Sequence, residues 1–331
     1  MKLQLTLACG LYDRTLALQT GMVAPEGIDL NTLPMGPGEL FRRQARNVEF
    51  DVAEFSLGTY VILRARGDQR MVAIPVFPSR KFRHADVYIN THSGIQKPEN
   101  LAGCRVGVQE YQQTAAIWIR GILQEEHGVR PDQVEWYFGG YNEPQNYTER
   151  IPVTLPSNIR TVTVSHHQSL NQMLEGGELQ GLIGATAPKS FAQRSPSVAR
   201  LFANTREVEM DYFRRTGIFP IMHVIVIKRE IYERAPWVAT NLYLAFEKAK
   251  AVGLHRLRES GTLFCALPWL GQHLDETAAV MGNDPFAYGL DGNRRILEKF
   301  LEYCQMQGLT ERRVRIEELF VPEILALNPS G

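Results

Sequence analysis

The stretch from Ile74 to Gly121 reads IPVFPSRKFRHADVYINTHSGIQKPENLAGCRVGVQEYQQTAAIWIRG and contains the strongest indications of the fold. It begins as an apolar strand and continues into a loop with four basic side chains, Arg80, Lys81, Arg83 and His84. An extended segment at Asp86–Asn90, a short strand at Arg105–Val108 and a long helix that begins near Tyr111 follow. Guanidinium groups and the free N–H groups of a helix N-terminus both bind carboxylates, so this stretch predicts a site for a small anion.

The composition is that of a globular protein with no strong overall charge. The chain has 331 residues, more than one small core usually accommodates, so two domains are expected. Lys and Arg together number 36, as do Asp and Glu, and this balance gives no electrostatic field that would attract nucleic acid or an anionic membrane. No apolar run approaches the ~20 residues of a membrane-spanning helix. Neither nucleic acid nor a membrane is therefore expected as a partner.

Cysteine usage and the first residues favour a cytoplasmic protein. The four cysteines are scattered and form no CxxC pair, which is typical neither of a zinc site nor of a disulfide framework and fits a reducing compartment. Leu3, Leu5 and Leu7 alternate with Gln4 and Thr6, which predicts a half-buried strand. A signal sequence needs ~7–15 continuous apolar residues, so we expect no export signal here.

Strand and helix patterns alternate along the chain, which favours sheets with helices on both faces. Two extended segments, Asp86–Asn90 and Ile221–Ile227, bracket a middle α/β unit, and the chain after it is mostly helical. We therefore expect residues 1–89 and 224–331 to form a discontinuous first domain, with residues 90–223 inserted as a second. In such sheets the ligand lies at the carboxyl ends of the strands, here in the cleft between the two lobes.

Eight segments distributed over the chain match those of one known family. They are Tyr12–Arg14, Pro25–Leu30, Glu39–Arg43, Phe50–Ser56, Ala73–Arg80, Phe82–His84, Glu110–Gln112 and Arg215–His223. The chain resembles the 4,5-dihydroxyphthalate decarboxylase family, from the first strand as far as Trp237. The resemblance implies a type II periplasmic-binding-protein-like fold of the α/β class, with two lobes of mixed sheets flanked by helices.

The resemblance also implies a lyase of aromatic compound catabolism and phthalate degradation, which converts 4,5-dihydroxyphthalate to protocatechuate and CO2. An aryl carboxylate leaves once its ring carbon is protonated, and a para hydroxyl supplies electrons once it is deprotonated. The expected partner is then a small aromatic di-acid, which is the substrate. The sequence is also compatible with a homo-oligomer. The alternatives are a non-catalytic solute-binding protein for an aromatic carboxylate and an enzyme of different chemistry on the same fold.

Three residues are candidates for acid–base catalysis. His84 and His223 lie on or next to the two segments that bracket the middle unit, and histidine titrates near neutrality. A histidine in an apolar strand is often a core residue, but the resemblance favours a catalytic role for His223. Glu110, at the start of the helix near Tyr111, is a candidate partner for the substrate phenol.

Ten residues are candidates for substrate binding. Arg80 and Arg83 lie three apart with Phe82 between them, and a planar guanidinium suits a carboxylate; pairing with a surface acid is the alternative. Glu54 ends a short apolar strand, where we expect either a pKa raised by burial or, more simply, an ion pair with Arg80 or Arg83. The remaining candidates are Tyr12, Arg14, Ser79, Tyr111, Gln112 and Thr216.

A metal is not expected, although a divalent cation chelated by the catechol is the alternative. His166 and His167 are adjacent, and neighbouring side chains of a strand point to opposite faces, so the two would not reach one ion. No phosphate-binding glycine loop, GxSxG or HExxH motif occurs, which argues against nucleotide cofactors and the common hydrolases. We therefore expect a reaction without a cofactor.

Overall fold

The computed structural model describes residues 2–259 and 261–325. Its eleven strands are β1 (Leu3–Cys9), β2 (Ile28–Pro34), β3 (Val52–Ser56), β4 (Met71–Ile74), β5 (Val87–Asn90), β6 (Arg105–Val108), β7 (Glu135–Phe138), β8 (Arg160–Thr163), β9 (Gly181–Ile183), β10 (Val198–Arg200) and β11 (His223–Lys228). Its twelve α-helices are α1 (Asp13–Gln19), α2 (Pro37–Asn47), α3 (Leu57–Ala65), α4 (Thr114–His127), α5 (Leu170–Glu175), α6 (Lys189–Ala192), α7 (Thr205–Thr216), α8 (Arg229–Arg234), α9 (Trp237–Arg258), α10 (Leu270–Met281), α11 (Arg294–Met306) and α12 (Pro322–Leu325). None of these helices combines the length and apolar character that crossing a membrane requires.

The chain divides into two compact units. The first comprises Met1–Arg80, Ile221–Glu298 and Val314–Gly331, and the second comprises Lys81–Pro220 and Lys299–Arg313. The bounds differ from the expected domains, because β5 pairs with β9 and β10 and so belongs to the second unit rather than to residues 1–89. The segment Lys299–Arg313 also belongs to the second unit, whereas the sequence assigned it to the first.

The first unit contains a mixed sheet of five strands in the order β2-β1-β3-β11-β4. β1 runs parallel to β2 and β3, whereas β11 runs antiparallel to β3 and β4. The interior of β11, Val224–Ile227, is apolar and fully buried, as expected for a central strand covered on both faces. Ser56 ends β3 and caps α3, because its hydroxyl accepts a hydrogen bond from the Thr59 N–H.

The second unit contains a mixed sheet of six strands in the order β10-β5-β9-β6-β7-β8. β6, β7, β8 and β9 run parallel, and β5 is antiparallel to both of its neighbours. The two mixed sheets with flanking helices confirm the predicted α/β class. The α4 helix, which begins at Thr114, is buried through most of its length.

The segment Lys299–Arg313 packs on α4. The ring of Tyr303 occupies the space beside Gly121, where any Cβ atom would overlap it. The Tyr303 hydroxyl and the Lys299 ammonium both bind the Glu125 carboxylate, the latter at 2.8 Å. A glycine in mid-helix usually lowers helix stability, so Gly121 is explained by this close packing.

Candidate active site

The candidate site in the first unit is centred on the carboxylate of Glu54, which is 1% exposed and lies in the middle of β3. In the antiparallel pairing of β3 with β11, Glu54 lies opposite Ile225 and Ser56 lies opposite His223. Residues two apart on a strand share a face, so Glu54 and His223 are diagonal neighbours on one face. Their side chains meet, with 2.5 Å between His223 Nδ1 and Glu54 Oε1.

Three further groups donate hydrogen bonds to Glu54. The Tyr12 hydroxyl donates to Oε1 at 2.6 Å, the Gly10 N–H donates to Oε2 at 2.7 Å, and the Cys9 thiol lies 3.5 Å from Oε2. Burial alone would raise the pKa of Glu54, but the His223 ring and the hydrogen bonds from His223, Tyr12 and Gly10 hold that pKa below its usual value. Glu54 is therefore an ionised carboxylate at neutral pH, without the arginine partner that the sequence predicted for it.

The donors are held by tight local packing. A Cβ at Gly10 would lie 2.9 Å from the Tyr12 ring and 3.1 Å from Glu54 Oε2, so only glycine fits there without displacing one of them. Burial and the Glu54 carboxylate raise the pKa of Tyr12, so the phenol stays protonated and donates. The Ser79 side chain opposes this rise in the pKa of Tyr12, and the Ser79 carbonyl accepts the His223 N–H at 3.3 Å.

The imidazole of His223 is positioned on two sides and open on a third. The ring edge packs against Phe41, with 4.8 Å between ring centroids. Because Nδ1 faces Glu54, the nitrogen left for other partners is Nε2, which bonds no described residue. The His223 side chain is 15% exposed, so solvent or a ligand reaches part of it.

Two buried arginines of the first unit, Arg14 and Arg80, both contact the loop that precedes α11. Arg14 stacks on the Phe286 ring at 3.7 Å and donates to the Pro78 carbonyl and to Asp13. Arg80 donates to the Ala287 carbonyl at 2.6 Å and to the Asn293 side chain. Burial lowers the pKa of Arg80 to about 10, so it remains charged at neutral pH.

Arg83 and His84 belong to the second unit, whereas Arg80 belongs to the first. Arg83 forms a buried ion pair of 2.8 Å with Asp86. The His84 ring packs edge-on against Phe202 and Tyr212. Burial lowers the pKa of His84 to about 4, so the ring is neutral and its contacts are those of a core residue.

The residues before α4 are engaged with the loop that follows β7. Glu110 forms an ion pair with Arg150 at 3.2 Å and accepts a hydrogen bond from the Arg150 N–H, so its carboxylate already has a cationic partner. Gln112 donates to the Ile151 carbonyl at 3.1 Å. Tyr111 is fully buried, and the helix begins at Thr114, three residues later than predicted.

The last two candidates have local partners. The Thr216 hydroxyl donates to the Tyr212 carbonyl at 2.6 Å, at the end of α7, where the following glycine has a positive φ. Phe82 packs with Phe219 at 4.7 Å and with Phe213 at 6.4 Å, in an aromatic cluster. Within the first unit, the structure thus brings together Tyr12, Glu54, Ser79 and His223.

The argument from opposite faces for the two adjacent histidines was wrong. His166 and His167 lie in a turn after β8, and their ring centroids are 3.8 Å apart. Within residues 2–259 and 261–325, no three His, Cys, Asp or Glu side chains are grouped so that they could hold a metal ion.

Among the residues of the first-unit site that sequence reasoning missed are Gly10, Phe41, Phe286 and Asn293. Gly10 had a usable signal, since it directly follows β1 at the carboxyl end of the sheet. The other three had none, because their contacts with His223, Arg14 and Arg80 join segments far apart in sequence.

Comparison with known proteins supports first the fold and then the family. The periplasmic aliphatic sulphonate binding protein SsuA of Escherichia coli superposes with a TM-score of 0.52 at 13% identity, over 97% of this chain and 92% of that one. The chain therefore has the periplasmic-binding-protein-like fold that its sequence predicted.

Two curated relatives identify the family, although no protein-family model matches the chain. The 4,5-dihydroxyphthalate decarboxylase of Comamonas testosteroni is 37% identical over 324 residues, which is 98% of each chain. The enzyme of the same name from Pseudomonas putida is 38% identical over 213 residues, 64% of this chain and 82% of the relative. The chain belongs to the 4,5-dihydroxyphthalate decarboxylase family and is a carboxy-lyase, as the resemblance in its sequence indicated.

Proposed function

We propose that this protein removes one carboxylate from 4,5-dihydroxyphthalate, with protocatechuate and CO2 as products. The observation that carries the proposal is the 2.5 Å contact between His223 Nδ1 and the buried Glu54 carboxylate. The two relatives named 4,5-dihydroxyphthalate decarboxylase support the choice of substrate.

The reaction needs one proton delivered to a ring carbon. The C–C bond to the departing carboxylate breaks, its electron pair stays on the ring, and the incoming proton takes that pair as CO2 leaves. Each carboxylate of this substrate is para to a hydroxyl, which feeds electrons into the ring. An acid held over the ring carbon is therefore the main catalytic requirement.

His223 is the proton donor in this proposal. Glu54 accepts the hydrogen bond from Nδ1, which orients the imidazole, fixes its tautomer and stabilises the positive charge that accompanies protonation. Nε2 then carries the proton for the substrate. Glu54 acts through His223 and is a positioning residue, and Tyr12 holds Glu54 in place through its 2.6 Å hydrogen bond.

Substrate binding is proposed for the polar groups around this pair. The Tyr12 hydroxyl donates its hydrogen bond to Glu54, so its oxygen is left to accept a hydrogen bond from a substrate hydroxyl, and Ser79 lies beside it. The Arg14 and Arg80 guanidinium groups supply positive charge for a carboxylate in the same unit. For Arg83, Tyr111 and Gln112, a contact with the substrate remains a prediction. Catalytic roles for His84 and Glu110 also remain predictions, with less support because each already has a structural partner.

We further propose that the reaction needs no cofactor, that the enzyme works in the cytoplasm in phthalate catabolism, and that its subunits associate as a homo-oligomer. The free state of all four cysteines agrees with a reducing compartment. Cell fractionation and light scattering of the purified protein test location and assembly directly.

The experiment is to incubate the purified protein with 4,5-dihydroxyphthalate, with and without a chelator, and to follow CO2 and protocatechuate. We expect stoichiometric release of both, unchanged by the chelator, and a large fall in kcat with retained binding in His223→Asn. Tight binding by the wild type without CO2 release would instead favour a solute-binding protein. Turnover that stops in chelator and returns with a divalent cation would overturn the cofactor-free reaction.

A further inference from the structure

A buried arginine without an acidic partner lies inside α4 of the second unit. Arg120 is 1% exposed, and among the described residues no carboxylate forms an ion pair with it; Tyr111 and Cys304 are the titratable groups that act on its charge. Burial lowers its pKa to about 10, so the guanidinium is still charged at neutral pH. A buried, unpaired charge opposes folding unless polar groups surround it, so its presence here needs a physical explanation.

The groups that surround Arg120 form a chain of contacts that ends at the turn before α4. Gln307, from the segment Lys299–Arg313, accepts a hydrogen bond from Arg120 Nε at 2.8 Å and donates to the Ile117 carbonyl at 2.8 Å. Arg120 NH2 donates to the Tyr111 carbonyl at 2.5 Å. The guanidinium also lies 3.7 Å from the centroid of the Tyr111 ring.

The position of the Tyr111 carbonyl explains why an arginine is used. The α4 helix begins at Thr114, so this carbonyl lies ahead of the helix and outside its hydrogen-bond ladder. A helical side chain leans toward the N-terminus, and a long one reaches back over two turns. Only a long side chain with several donors in one plane binds Tyr111 and Gln307 at the same time.

We propose that Arg120 is a positioning residue for substrate binding: held by Gln307, it fixes the backbone and ring of Tyr111 and with them the turn Glu110–Gln113. The inference rests on the proposed function, since it assumes that Tyr111 or Gln112 contacts 4,5-dihydroxyphthalate. The segment Lys299–Arg313 thereby acquires a role in the enzyme, although it lies almost two hundred residues further along the chain than the turn it holds.

The test compares Arg120→Met and Arg120→Lys with the wild type, by calorimetric titration of 4,5-dihydroxyphthalate and by steady-state kinetics. Methionine keeps the packing on Tyr111 but donates no hydrogen bond, and lysine keeps the charge but does not span both acceptors. We expect Kd and KM to rise about tenfold to a hundredfold in both variants, because the turn Glu110–Gln113 is no longer held in place. The kcat should stay within about threefold of the wild type, because His223 is unchanged.

Two further variants keep the test clear of folding defects. Gln307→Ala removes the group that holds Arg120, and we expect a rise in KM of about threefold to tenfold in the same direction. Tyr303→Phe is the control, since it removes a hydrogen bond between the same two segments at Glu125, near the other end of α4. It should lower the Tm and leave Kd and KM unchanged.

The outcomes separate this proposal from the proposed function. Normal Kd and KM in folded Arg120→Met and Gln307→Ala would overturn the positioning role, as would full recovery of KM by Arg120→Lys, which would make charge alone sufficient. A weakened Kd in the variants, with a wild type that binds but releases no CO2, would support the positioning role and refute decarboxylation. A wild type that neither binds nor converts 4,5-dihydroxyphthalate would overturn both.

Discussion

Glu54→Gln is the substitution that most directly tests the proposed site, because it keeps the shape of the side chain and removes its charge. In the wild type, Oε1 accepts from His223 and Tyr12, and Oε2 accepts from the Gly10 N–H. A glutamine has one oxygen and one NH2 group. If its oxygen takes the place of Oε1, its NH2 group faces the Gly10 N–H, which is a donor. If the amide is turned the other way, NH2 faces Tyr12 and His223 Nδ1, and those two groups must become acceptors, which gives His223 the other tautomer.

The magnitude follows from the contacts that are lost. A hydrogen bond to a charged group contributes about 1.5–3 kcal/mol, and a buried donor without an acceptor costs about 1–3 kcal/mol. If the lost hydrogen bond to the charged carboxylate stabilises the protonated His223, kcat should fall about 10- to 150-fold, since each tenfold is about 1.36 kcal/mol. The buried donor that loses its acceptor should lower the free energy of unfolding by about 1–3 kcal/mol. KM should change little, because Glu54 is buried behind the histidine.

The assay measures protocatechuate formation at saturating 4,5-dihydroxyphthalate, together with urea unfolding of each variant. Asp51→Asn is the matched control: this carboxylate accepts from the Thr6 N–H at 2.9 Å and pairs with Lys228, just before β3 begins. It should lose stability and keep its kcat. In a His223→Asn background, Glu54→Gln should have no further effect on kcat. A wild-type kcat in folded Glu54→Gln would refute the assigned pair, as would additive losses in the double variant.

Three other predictions concern packing and pH. Gly10→Ala places a Cβ 2.9 Å from the Tyr12 ring, so we expect kcat to fall at least tenfold while circular dichroism stays unchanged. The pKa of His84 is lowered from 6.5 to about 4 by burial, so the unfolded chain takes up the proton first as the pH falls. Stability that is complete above pH 6.5 should therefore decline by about 3 kcal/mol toward pH 4, and His84→Phe should remove that part of the decline in denaturant titrations. Gly121→Ala would push Tyr303 off α4, so its Tm should drop by several degrees in calorimetry, whereas an alanine at an open glycine such as Gly271 should not lower it.

The fold was predictable wherever local patterns decide it. The alternation of short apolar strands with helices, and Ser56 as a helix cap, both follow from local preferences, and both are present. The assignment of β5 and of Lys299–Arg313 to the second unit was not predictable. Those choices depend on which distant segments pair, as β5 does with β9 and as Tyr303 does with Gly121, and no local signal carries that information.

The members of the candidate site could be proposed from the sequence, but their arrangement could not. Chemistry made histidine, glutamate and tyrosine candidates, the family resemblance favoured His223, and the structure shows that His223, Glu54 and Tyr12 meet. Their meeting depends on the register of β3 against β11, and a shift of one residue would turn Glu54 to the other face of the sheet. Spacing in the sequence favoured Arg80 and Arg83 as carboxylate ligands. In the structure each has partners within its own unit, and a contact with the substrate stays a prediction for both.

The Glu54–His223 pair also bears on whether a protein of this fold binds or reacts. A receptor for an anion gains nothing from a buried carboxylate behind its binding surface, because the negative charge of Glu54 opposes the ligand. Burial of that carboxylate also costs desolvation, which the hydrogen bonds from Tyr12 and Gly10 only offset. A proton donor needs such a group, because the carboxylate orients the imidazole and stabilises its protonated form. Proteins of one fold can bind or react, so the fold alone does not decide between the two. Removing the charge of Glu54 should lower the rate of turnover and leave substrate binding nearly unchanged.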